Sequence, residues 1–111
     1  MRVRVAIPEE GAHPRVTTVD GVDLTPLYLL EISELIFTLV DTLGLSFEPL
    51  EDGFVASGPR GPLARCHHVF VRRRREVIRY IAENSPIDEL PWPKDRLPED
   101  IAVYLDTGDE A

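Results

Sequence analysis

Polar and apolar positions alternate from the start of the chain, Arg2-Val3-Arg4-Val5-Ala6-Ile7. This is the period-two pattern of a strand, with Val3, Val5 and Ile7 on one face and Arg2 and Arg4 on the other. Pro8 ends it. The β-branched stretch from Arg15 to Val19 has the character of a second strand, and Asp20-Gly21 after it is a tight-turn signal. The period then becomes helical. Thr25-Pro26 offers an N-cap followed by proline at the first helical position, and Gly44 offers a left-handed stop, which together predict a long helix over residues 26–43. At about 100° per residue its apolar side chains, from Tyr28 to Leu43, cover well over half of the circumference. Glu31, Glu34, Thr38 and Asp41 share a narrow polar stripe. A helix packed on one side needs an apolar arc of only about 100°. The excess implies cover on two sides, at the centre of the fold or in a subunit interface.

Residues 45–50 and 54–57 read as two strands around Glu51-Asp52-Gly53. A two-residue Asp52-Gly53 loop would set Pro49 opposite Ala56 in a hydrogen-bonded pair, where its missing N–H would hurt. A three-residue loop, with Gly53 in a left-handed bulge position, avoids this and puts residues 45–50 on or near a sheet edge. Ser57-Gly58-Pro59-Arg60-Gly61 breaks the strand, and Pro62 opens a second helix that runs to about Ala82, closed by Asn84 and Pro86. From Ser85 onward prolines and carboxylates dominate; Ile101 to Leu105 is apolar enough to add a strand or a short helix, with strand favoured by its residue types. The pattern predicts one α+β domain over residues 1–84. A small, mainly antiparallel sheet (residues 2–7, 15–19, 45–50 and 54–57) is packed by two long amphipathic helices, and a proline-rich acidic tail over residues 85–111 docks on the same domain.

Composition narrows the function classes. A chain of 111 residues with 43% hydrophobic content holds one core. No apolar run reaches the roughly eighteen residues of a membrane span, and the start of the chain lacks a signal-peptide pattern, so the expectation is a soluble, cytoplasmic protein with no membrane partner. Cys66 is the single cysteine, which excludes an intrachain disulfide and a multi-cysteine zinc site. A net charge of -8 opposes general binding to polyanions.

Against that background Arg72-Arg73-Arg74-Arg75 stands out: half of the twelve Lys and Arg residues lie between Arg65 and Arg79. On a helical wheel Arg65, His68, Arg72, Arg75 and Arg79 gather on one side, opposite an apolar arc that includes Leu63, Cys66, Val69, Phe70 and Ile78. Arg73 and Arg74 point nearer the apolar arc and should lay their stems on the core. The outer stripe would be about 21 Å long and suits phosphate oxygens. A solvated surface helix, its charge offset by Glu76, Glu83 or the tail, is the plainer reading. The stripe has no interleaved aromatics for stacking on bases.

His68, flanked by Arg65 and Arg72, is the one candidate for acid or base chemistry on a phosphodiester, without a second catalytic group specified. Cys66-His67-His68 lacks the i, i+3 or i, i+4 spacing of helical metal ligands, and His13 is remote in sequence, so no metal and no cofactor is implied. Trp92, held between Pro91 and Pro93, is an anchor for a partner's groove or for the chain's own core. The leading expectation is a non-enzymatic interaction or regulatory protein that forms a homo-oligomer through the apolar helix 26–43. The competing one is a nucleic-acid or phosphate-ligand protein that uses the Arg65 to Arg79 face.

Overall fold

A computed structural model of the chain describes residues 2–5, 18–19, 22–23 and 25–107. Its elements are β1 (Arg2–Arg4), β2 (Thr18–Val19), β3 (Val22–Asp23), α1 (Thr25–Leu29), α2 (Ile32–Phe37), a π-helical turn (Thr38–Thr42), β4 (Ser46–Leu50), β5 (Gly53–Gly58), α3 (Arg60–Arg72), α4 (Arg74–Asn84), a 3-10 turn (Ile87–Glu89) and β6 (Ala102–Thr107). Ala6-Ile7, His13, the expected strand residues 15–17 and the turn pair Asp20-Gly21 lie outside the described residues. The class is α+β with a four-stranded mixed sheet, in the order β1-β6-β5-β4.

The antiparallel expectation fails at the centre of this sheet. β6 pairs antiparallel with β1 but parallel with β5, Phe54 opposite Val103 and Ala56 opposite Leu105. Between β5 and β6 the chain crosses through α3, α4 and the proline-rich stretch, and a crossover of that length is what parallel neighbours require. Residues 18–19 do not join this sheet. They pair with Val22–Asp23 as a separate two-stranded ribbon, Val19 opposite Val22.

β4 and β5 form the expected hairpin with β4 at the sheet edge, but neither register weighed from the sequence is the one adopted. Leu50 pairs with Gly53 and Pro49 with Phe54, so the loop is Glu51-Asp52. The pair that flanks a two-residue loop is hydrogen-bonded and the next is not. Pro49 therefore still falls where no N–H is needed. Gly53 is a strand residue and not a turn glycine: a Cβ there would overlap the Ala102 carbonyl oxygen. The start of β6 lies that close, with the Ala102 N–H donating to the Asp52 carbonyl oxygen at 2.8 Å.

Both long helices are interrupted. Glu31 is extended (φ -64°, ψ 153°) and separates α1 from α2. The break divides the over-wide apolar arc between two short helices, with Leu27 and Leu30 before it and Ile32, Leu35, Ile36 and Leu39 after it all packed on the core. Gly44 stops the stretch as expected, with φ 75°, and the Leu45 N–H reaches back to the Leu39 carbonyl oxygen at 2.9 Å. The second break is at Arg73 (φ -103°, ψ 26°). A straight helix over residues 60–84 would be about 38 Å long, roughly twice the length of a six-residue strand. The elbow keeps it on the sheet: α3 packs over β5 and β6, and α4 over β4 and against α2.

The core lies between the helices and one face of the sheet. Phe47, Ala56 and Leu105 form one cross-strand row beneath the helices, and Phe54 and Val103 the next. The Phe70 ring from α3 meets Phe47 edge-on, centroids 5.3 Å apart at 85°. On the other face Tyr104 sits between Arg4 and Val55, and its hydroxyl donates to an Asp52 carboxylate oxygen at 2.6 Å. That bond, more than burial, holds the Tyr104 hydroxyl above its ordinary pKa. No helix among the described residues is long and apolar enough to cross a membrane.

Candidate functional site

The arginine run is built around the elbow. Arg73 itself is 7% exposed. Its Nε and one terminal nitrogen donate to the two Glu76 carboxylate oxygens at 3.4 and 2.7 Å, and the other terminal nitrogen to the Leu27 carbonyl oxygen at 3.3 Å. Arg74 donates to the Val71 carbonyl oxygen at 3.3 Å. The inward lean of these two residues agrees with the wheel. Their work is structural, because Arg73 ties the elbow to the Leu27 carbonyl of α1 and Arg74 bonds the Val71 carbonyl beside the second break.

The break also divides the outer stripe. Arg65, His68 and Arg72 lie on α3 and are half-buried, whereas Arg75 and Arg79 lie on α4 and are exposed. The five do not form one row on a continuous helix. Residues 63–71 are helical, as the stripe requires; the interruption comes two residues later. The Nε of Arg65 and one terminal nitrogen of Arg72 are shielded from solvent without a hydrogen-bond acceptor.

His68 stands one turn from each of these arginines. Burial first, then His67 and Arg72, lower its pKa below the ordinary 6.5, which favours a neutral imidazole at neutral pH. The ring of His67 meets it edge-on at 5.7 Å, and His67 turns its Nδ1 to the Ala64 carbonyl oxygen at 3.1 Å. Burial pushes the Cys66 thiol up, against a smaller opposing pull from Arg65. A buried thiol in its protonated form is a poor nucleophile and a poor ligand. No group of three His, Cys, Asp or Glu side chains among the described residues is arranged to hold a metal ion.

Trp92 turns inward. It is 8% exposed, and its indole N–H donates to the Leu50 carbonyl oxygen at 2.8 Å. The ring thus pins the proline-rich stretch to the hairpin, and β6, further along the same stretch, lies in the middle of the sheet.

An apolar surface lies elsewhere, along the first helical stretch. Leu29 is 81% exposed, Phe37 65% and Val40 43%. Phe37 and Val40 stand beside a depression of about 330 Å³ whose floor includes Ile36 and whose far wall is Tyr80 of α4. It continues toward Phe47 and Ile81, with Asp41, Asn84 and Ser85 as polar rim. The over-wide arc was the sequence signal for this surface. The role of Tyr80 had none, because only the packing of α4 against α2 places it there. No family model matches the chain, and neither a curated protein nor a solved structure matches it.

Proposed function

We propose that the protein is a non-enzymatic interaction protein that self-associates through the apolar surface of α2, the π-helical turn and α4. The observation that carries this reading is Phe37, a large apolar side chain 65% exposed at the mouth of an apolar depression. Exposed apolar residues scattered singly are ordinary; one that adjoins a groove of its own kind is a mark of an interface. A second copy is the occupant that suits it. Ridge and groove lie side by side on one surface, so a two-fold contact seats each Phe37 in the other copy's groove. The rim supplied by Asp41, Asn84 and Ser85 gives the apolar centre a polar border.

Sedimentation across a concentration series tests it. The wild-type chain should shift from monomer to dimer with concentration, and Phe37→Asp with Val40→Asp should stay monomeric with an unchanged melting temperature. Each copy carries a net charge of -8, so added salt should strengthen the association by screening that repulsion. A wild-type chain that stays monomeric at every concentration and salt level overturns the reading. Association that weakens with salt, in the presence of a basic partner only, moves the groove to that partner.

A further inference from the structure

We propose that α3 holds the phosphate group of a small ligand between Arg65 and Arg72, a site separate from the apolar surface. These residues are two turns apart on one side of the helix, about 10.5 Å between Cα atoms at 1.5 Å per residue. At that spacing two long guanidinium side chains can reach toward one small anion lying along the turns between them. The Nε of Arg65 and one terminal nitrogen of Arg72 are buried and lack a protein acceptor. A shielded cationic donor without an acceptor is costly, and an absent ion or ligand is one of the few physical reasons for it.

The chain provides no described carboxylate for these groups. Residues 53–75 contain no Asp or Glu. The nearest acid along the helix, Glu76, is engaged by Arg73 at 2.7 Å. Phosphate suits the position better than a carboxylate, because its tetrahedral oxygens can accept from two forks that arrive from opposite directions. One phosphate fits better than a nucleic-acid backbone. The elbow at Arg73 takes Arg75 and Arg79 off the row, and the net charge of -8 repels a polyanion more than a small anion.

Calorimetric titration of the full chain in a low-salt, phosphate-free buffer reads the site, with inorganic phosphate, adenosine monophosphate and a single-stranded oligothymidylate as probes. Inorganic phosphate should bind saturably at one site per chain and raise the melting temperature, and the mononucleotide should do the same. Arg65→Gln and Arg72→Gln should each weaken binding by about tenfold or more, the size of a charge-assisted hydrogen bond, while Arg79→Gln on the far side of the elbow leaves it unchanged. Where a glutamine variant fails to fold, Arg65→Lys and Arg72→Lys keep charge and stem but lose the planar fork, and should also bind more weakly. Absence of saturable phosphate binding by the wild type overturns the proposal. So does an equal loss in Arg79→Gln, or oligothymidylate binding far tighter than phosphate that depends on Arg75 and Arg79, which would make the whole basic face the site.

Discussion

The two helical stretches, residues 25–42 and 60–84, meet the same difficulty with different surpluses. Each has more of one residue type than the core can use, and each is broken once, at Glu31 and at Arg73. In the first stretch the surplus is apolar: Leu35 and Leu39 are fully buried while Leu29 and Phe37 remain outside. In the second it is cationic, and only Arg73 is taken fully inside, on the condition that Glu76 and the Leu27 carbonyl accept its hydrogen bonds. An unburied apolar side chain loses little by facing water, whereas a buried charge without an acceptor loses a great deal. The leftovers of the first stretch therefore lie on the surface as a patch, whereas those of the second divide at the elbow, Arg75 and Arg79 outside and Arg65 and Arg72 half-buried with a shielded nitrogen each.

Substitutions within each stretch sharpen this contrast. The largest effect belongs to the buried side of the first: Leu35→Ala should cost about 3 kcal/mol in denaturant unfolding. Phe37→Ala, two residues on, should stay within about 0.5 kcal/mol and change the sedimentation profile instead. If the two cost the same, the division into core and surplus is wrong. Next comes the elbow. Arg73→Ala should lose about 2 kcal/mol as the Glu76 and Leu27 contacts go, and Arg73→Lys should fall between it and the wild type, because a single ammonium cannot reproduce the fork. A neutral result at Arg73 would mean that the elbow holds without its arginine.

The smallest effect concerns His68. Its pKa is lowered in the folded chain, by burial first, so the unfolded chain takes up the proton earlier as pH falls. The contribution of His68 to stability is thus fully present above pH 6.5 and lost as pH drops toward the folded-state pKa. His68→Gln should lose less of its melting temperature than the wild type between neutral pH and about pH 5. Identical slopes for the two would place the acid sensitivity elsewhere.

Several features could be read locally. Pro49 at an edge position, Gly44 as a left-handed stop, the close of the second helix at Asn84 and a strand near residues 101–105 all follow from the bonding needs of one residue and its neighbours. Gly53 marks where local reading ends. In sequence it belongs to a turn after Asp52; in the fold it is glycine because the backbone of β6, some fifty residues later, passes too close for a side chain. The same strand accounts for the parallel pairing, since nothing near Ala102 to Thr107 says which neighbour it will take. The break at Arg73 was hidden for a related reason. A helical wheel assumes a straight axis, and the length of the sheet beneath decides whether the axis can stay straight. The candidate site inherits this: its residue types were visible as Arg65, His68, Arg72, Arg75 and Arg79, and their division into two groups was not.

What the sequence determined by itself was the alternation and periodicity that assign residues to strands or helices, the turns and stops that bound them, and the two surpluses, apolar in residues 26–43 and cationic in residues 65–79. Those are properties of neighbours within a few positions, where backbone preference and side-chain direction act. The tertiary structure decided the order and direction of strands, the register at Gly53, the two helix breaks and the depth of each arginine. These depend on groups distant in sequence that compete for the same space and the same acceptors, and that competition exists only once the chain has closed on itself.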